Sequence, residues 1–225
     1  MEPKAASVRS LIYGVQLSKG RIEALTDGIF AIAMTLLVLE LKLPELPKSI
    51  GSAELLRRLG EEMPAFFSFL VSFLYCGLLW IQHHLAMHFI RHLKLVMVWL
   101  NLLFLMSVSV VPFSCALLGH FLRNRAAQEI YFANIFVSAM LLCLQWMVAR
   151  HKGLINQDDP RAASAMGHQL MMFPLALGAG MGATLYRPMA GFYAMMAVLV
   201  GLRLWQRRWS RKQQFTVPAL TPPSS

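Results

Sequence analysis

Long apolar stretches broken by short polar ones dominate this chain of 225 residues. An α-helix needs about 20 mostly apolar residues to cross a hydrocarbon core. Six stretches reach or approach that length: Thr26 to Leu43, Pro64 to Met87, Leu95 to Leu118, Gln128 to Val148, Ala165 to Tyr186 and Pro188 to Trp205. The fifth is glycine-rich and the sixth is short. Leu, Met, Phe and Ala predominate, with Gly and Pro inside the spans. That suits lipid-embedded helices, whose backbone groups must bond within the segment. The alternating strands of an outer-membrane barrel are absent. The pattern predicts an all-α integral membrane protein with six transmembrane helices within residues 1–206. The first apolar run is too long for a cleavable signal peptide and follows a polar stretch, so none is expected.

Two polar segments add to this picture. Between Pro44 and Met63, Leu55, Leu56 and Leu59 gather on one side, with Arg57, Arg58, Glu61 and Glu62 elsewhere, which predicts a short interfacial helix. Residues 207–225 are basic and then rich in Thr, Pro and Ser, so they are expected to form a disordered cytoplasmic tail.

Composition excludes a soluble domain, which would carry roughly 25% charged residues. Here 14% are charged and 57% hydrophobic, with a mean hydropathy of +0.53. A net charge of +10 would by itself fit a nucleic-acid partner. The distribution of the charges argues otherwise. Fourteen of the 21 Lys and Arg fall in the N-terminal segment, the second and fourth loops and the C-terminus. Basic residues in short loops mark the cytoplasmic side. Both termini are therefore expected in the cytoplasm, the bilayer is the expected partner, and no nucleic acid is. Cys76, Cys115 and Cys143 lie in apolar stretches without metal-ligand spacing and read as buried small hydrophobes.

The first span carries the most chemistry. Arg21, Glu23 and Asp27 open it, and twelve uncharged residues then lead to Glu40 and Lys42. A carboxylate entering a membrane helix is costly, so Asp27 should face protein or water and have a partner. A structural Asp bonded to neighbouring helices and an ion or proton site both fit. At 100° per residue, Ile32, Thr35, Leu36 and Leu39 share one stripe, and Asp27 sits about 140° from Ile32.

The run Arg21-Ile-Glu-Ala-Leu25-Thr26-Asp27, continuing through Gly28 to Glu40, resembles the first-helix signature of the transmembrane protein 175 family, potassium-permeable channels of bacteria, archaea and animal endolysosomes. The family pattern is Arg, three residues, then Phe-Ser-Asp. This chain keeps Arg21 and Asp27, with Leu25 for the Phe and Thr26 for the Ser. The similarity continues at Ser68-Phe69-Leu70, Trp80-Ile-Gln-His83-His84, Leu100-Asn101-Leu102-Leu103 and Val111-Pro112-Phe113, which is roughly the first half. The resemblance implies six helices per subunit, a homotetramer around the first helix, and a prokaryotic, single-repeat member in the plasma membrane. It also implies a polar network of Arg21, Thr26, Asp27, Trp80, His84 and Asn101.

On that reading Ile32, Thr35, Leu36 and Leu39 line the pore as apolar rings that gate by dewetting. Glu40 concentrates cations at the outer mouth. With no carbonyl filter, potassium-over-sodium selectivity should be modest. No cofactor is expected beyond the permeant potassium ion. The alternative is a proton-coupled secondary transporter using Asp27 and His84, although the broken helices and paired repeats common in transporters are not evident. His84, His88 and His92 share a helical face, which is weak support for a metal site. The glycines at 178, 180 and 182 read as close helix packing, and Asn134, Gln145 and Gln169 as interhelical hydrogen-bonders. No hydrolase triad, HExxH or Walker sequence suggests an enzyme.

Overall fold

The structure, a computed structural model, describes residues 18–42, 46–47, 49–156 and 159–186, together with 190–191, 193, 196–197 and 200–201. Helix α1 spans Lys19–Leu37 and tightens into a 3-10 turn at Val38–Glu40. It begins seven residues before the predicted span. Hydropathy marks the lipid-embedded part of a helix, whereas helix formation also suits the polar residues before it. Lys19 and Glu23 form an i,i+4 ion pair at 3.7 Å on that extension.

Helix α2, Ser52–Glu61, is the expected short amphipathic helix. Arg57 and Arg58 hold Glu54, with the closest contact at 2.5 Å. The Arg57 guanidinium keeps the Glu54 carboxyl down to about 2. After Glu62 the chain enters α3, Met63–His88, with Pro64 in the first turn, where a missing N–H costs nothing.

The third apolar stretch is two helices, α4, Leu95–Ser109, and α5, Val111–His120, separated at Val110. Pro112 is the physical reason. It lacks a donor, and its ring conflicts with the carbonyl of the preceding turn. Helix α6, Arg125–His151, starts where Asn124 Oδ1 accepts from the Ala126 and Ala127 amides at 2.9 and 3.4 Å. Helix α7, Pro160–Thr184, starts at Asp159, which accepts from the Arg161 and Ala162 amides, and contains Pro174.

Among the described residues, four helical segments are long and apolar enough to cross a membrane: Lys19–Glu40, Met63–His88, Leu95–His120 and Arg125–His151. At 26 residues, α3 extends about 39 Å, more than the roughly 30 Å hydrocarbon core. Helix α7, which holds the expected fifth span, is as long, but its glycines, His168 and Gln169 dilute its apolar character. Most of the expected sixth span and all of residues 207–225 lie outside the described residues; the positions described between 190 and 201 are helical.

A core of Phe30, Leu37, Leu79, Phe104, Tyr131, Phe132 and Ile135 joins α1, α3, α4 and α6. Tyr75 donates to the Ile135 carbonyl, and Ser72 donates to the Tyr131 hydroxyl. Small residues permit the closest approaches. A Cβ on Gly167 would meet Trp146 Nε1 at 2.7 Å, and one on Gly119 would meet the Ala65 Cα at 3.0 Å. At the opposite end from α2, the turn after α3 is laced to the turn after α6. The Arg91 amide donates to Leu154 O and the Asn156 amide to Phe89 O. All three cysteines are free and buried.

Candidate functional site

Helix α1 has two unlike faces. Ile22, Thr26, Phe30, Ala33 and Leu37 are buried against α3, α4 and α5. Ile32, Thr35, Leu36 and Leu39 are exposed, Ile32 at 58% and Leu39 at 66%. The stripe predicted for a bore therefore lies on the face of α1 that the described part of its own subunit leaves uncovered. Thr35 is the one polar residue on it, and its hydroxyl donates back to the Ile32 carbonyl at 2.8 Å.

Behind the buried face runs a hydrogen-bonded chain. Thr26, fully buried, donates to the Ile22 carbonyl at 2.9 Å. Its proton is thereby committed, so it accepts from Asn101 Nδ2, 3.1 Å away. That fixes the Asn101 amide with Oδ1 facing His83 Nε2 at 2.9 Å, and the imidazole proton must sit on Nε2. The His83 ring lies parallel to Phe104 with centroids 5.3 Å apart. One polar residue from each of α1, α4 and α3 thus pins the three helices together without a net charge.

A second group lies on the exposed side of α3. Trp80 Nε1–H donates to Asp27 Oδ1 at 2.8 Å, and His84 stacks on the Trp80 indole at 5.7 Å. Asp27 has its partner on another helix.

The six residues expected in one network are thus divided. Thr26 and Asn101 meet in the buried chain; Asp27, Trp80 and His84 meet on the exposed side; Arg21 joins neither. Its side chain is exposed and has no hydrogen-bond or ion-pair partner among the described residues. The residue that sequence reasoning missed is His83. Helical spacing aligns His83 with Ser72, Cys76 and Leu79 and His84 with Trp80 and Ile81, but which of the two stripes is buried is set by the packing of α3 against its neighbours. Glu40 is half-buried in the 3-10 turn that ends α1.

Elsewhere, Asn134 Nδ2 donates to the Ser114 hydroxyl at 3.0 Å, joining α6 to α5. Gln145, expected to bond between helices, is 2% exposed, and neither side-chain polar atom has a partner among the described residues. No group of three His, Cys, Asp or Glu side chains converges on a metal-sized site among the described residues.

Comparison with known proteins gives this geometry its context. Residues 21–112 match the family described as "Endosomal/lysosomal potassium channel TMEM175". The match opens at Arg21 and runs through α1, α3 and α4, the helices that the buried chain ties together. A potassium channel of Streptomyces collinus is 37% identical over 169 residues, covering 71% of this chain and 81% of that protein. The chain belongs to the TMEM175 family of ion channels. A crystal structure of a lysosomal potassium-selective TMEM175 homolog from Chamaesiphon minutus superposes with a TM-score of 0.71 at 28% identity, covering 83% of this chain and 96% of that one. The bovine endosomal/lysosomal proton channel TMEM175 is 32% identical over 191 residues, 78% of this chain but only 39% of the bovine protein. Family membership makes this TMEM175 chain a multi-pass membrane protein of a channel family, not of an enzyme family.

Proposed function

We propose that this TMEM175 chain is a potassium-permeable cation channel, a homotetramer whose four α1 helices surround the bore. The observation that carries the reading is the two-sidedness of α1, with one face bonded and packed inside the subunit and Ile32, Thr35, Leu36 and Leu39 left open. Four such stripes around an axis form stacked apolar rings. A narrow apolar bore expels water and stops ions, and a slightly wider one fills and conducts, so a small rotation or tilt of α1 is enough to gate it. The rings contain no carbonyl cage, and the Thr35 hydroxyl donates to its own helix. Modest selectivity for potassium over sodium follows.

Six spans and cytoplasmic termini complete the reading for a prokaryotic plasma membrane, with the basic residues concentrated on the inner side. Glu40, at the far end of α1, raises the local cation concentration if it faces the vestibule. The network around Thr26 and Asp27 holds α1 at the angle that the bore requires, with no cofactor.

A second reading, proton-coupled transport through Asp27 and His84, draws support from their meeting on one exposed indole. Purified protein in liposomes separates the two. Passive potassium flux down its own gradient, continuing with the proton gradient collapsed, supports the channel. Flux that requires a proton gradient and saturates at carrier-like turnover rejects it. Cross-linked tetramers supply the oligomeric test, and a dimer or monomer that still conducts removes the fourfold bore.

A further inference from the structure

We propose that α2 lies flat in the phospholipid interface at its end of the bundle, its leucine face in the acyl boundary and its charged face among the headgroups. The helix is two-sided. Leu55, Leu56 and Leu59 fall within an arc of about 100°, with Glu54, Arg57, Arg58 and Glu61 on the opposite arc. No residue of α2 is buried, and Leu56 is 69% exposed, so the described part of the subunit does not cover the leucine face.

What covers it is indicated by continuity. Only Glu62 separates α2 from α3, which begins with exposed Met63 and Phe66 and continues with exposed Leu70, Phe73 and Leu74 along a membrane-crossing helix. The exposed apolar side chains of α3 therefore begin immediately after Glu62, one residue beyond the end of α2. The charged face is complete in itself. Arg57 bonds Glu54 at 2.5–2.7 Å and Glu61 at 2.6 Å, and Arg58 bonds Glu54 at 3.0 Å.

Two acids and two bases leave α2 with no net charge, so its seating does not call for anionic lipid. A cavity of about 850 Å³ at the same level points to the same chemistry. Glu61 and Glu62 stand on its walls with His120 and Arg123. Among the described residues, neither Glu62 nor Arg123 has a side-chain partner. Opposite charges without partners around one cavity match the ammonium and phosphate of a zwitterionic phospholipid headgroup.

The test uses the assembled full chain in phosphatidylcholine liposomes, with a nitroxide label on Leu56→Cys and, separately, on Arg58→Cys. Collision with oxygen reports the acyl region, and collision with a water-soluble nickel chelate reports solvent. The expected result is an inverted oxygen-to-nickel ratio between the two positions, the same with and without added anionic lipid. Leu59→Cys replaces Leu56→Cys if that variant fails to assemble. Nickel access at the leucine positions, which places the helix in a watery vestibule, overturns the proposal. So does shielding from both reagents, or spin coupling between subunits, either of which means protein covers that face. Movement into the membrane only when anionic lipid is added overturns the zwitterionic match.

Discussion

Along α1, the side bearing Thr26 and the side bearing Ile32, Thr35, Leu36 and Leu39 handle their polar atoms in different ways. On the inner side, a hydroxyl, an amide and an imidazole from three helices satisfy one another in sequence and are sealed from solvent. On the outer side the single hydroxyl bonds its own helix, and the other side chains are apolar and uncovered. The inner arrangement fixes the position of α1, because the bonds from Asn101 to Thr26 and to His83 each cross between helices. The outer arrangement depends on no partner, so its residues can be exchanged without dismantling the subunit. The lesson is a separation of duties within one helix, with architecture on one face and, on the proposed reading, permeation on the other.

The largest expected effect on permeation comes from breaking the apolarity of the outer face. Ile32→Asn places polar groups in the narrow part of the proposed bore and lowers the dewetting barrier. Potassium flux per channel is expected to rise about tenfold, equivalent to about 1.4 kcal/mol. Thermal stability should hold, because more than half of Ile32 is exposed and it is not part of the buried core. Liposome flux beside a melting curve decides it. Unchanged flux with lowered stability would exchange the roles of the two faces. Ala33, on the buried face of α1, is not a neutral control for this experiment. It is 2% exposed, so enlarging it overpacks the interior and lowers stability.

The complementary experiment attacks the inner face. Asn101→Leu leaves the His83 Nε2 proton and a Thr26 lone pair without partners. A loss of about 1–3 kcal/mol of stability is expected, with flux per surviving channel little changed. His84→Ala, on the exposed indole, should cost much less. A greater loss at His84 than at Asn101, measured by denaturation in detergent, would mean that the exposed group carries the architecture.

Asp27 lies between these cases, adjoining the buried Thr26 while pointing to Trp80 outside. Asp27→Ala removes the acceptor for the indole N–H and is expected to weaken assembly by about 1 kcal/mol. Asp27→Asn keeps an acceptor oxygen and should restore assembly. Intact tetramers of the Ala variant without flux would give the carboxylate a direct ionic role and bring the transporter reading forward.

Much of this arrangement could be read in the chain before its structure. Apolar length located the four segments among the described residues that are long and apolar enough to cross a membrane, because lipid tolerates little else over that distance. Helical period put Ile32, Thr35, Leu36 and Leu39 on one stripe. The break at Val110 was less legible, since hydropathy runs smoothly through Val110-Val111-Pro112 and only the missing donor of Pro112 interrupts the ladder. The choice between His83 and His84 is of another kind. Adjacent residues on a helix differ by 100°, so deciding which faces inward requires knowing which side of α3 meets α4. That is a tertiary fact, fixed by the ring stacking of His83 on Phe104 and not by either histidine's neighbours in sequence. The two unpartnered polar atoms of Gln145 likewise had no sequence signature, because an amide in a span signals a partner without identifying one.

The smallest expected effect is at Thr35, where the comparison is sharpest. If its hydroxyl served as an ion ligand, replacing it would abolish discrimination between potassium and sodium. Its proton, however, is already given to the Ile32 carbonyl 2.8 Å away, which leaves a methyl group and oxygen lone pairs for the proposed bore. Valine preserves the shape and the methyl group while removing the hydroxyl, both its lone pairs and its exposed bond to the Ile32 carbonyl. Thr35→Val is therefore expected to leave stability unaltered and to shift the potassium-to-sodium flux ratio by no more than about twofold, under half a kcal/mol. Bi-ionic flux in liposomes measures this directly. A collapse of the ratio to unity would give the lone pairs a coordinating role, and the outer face of α1 would then select ions as well as gate them.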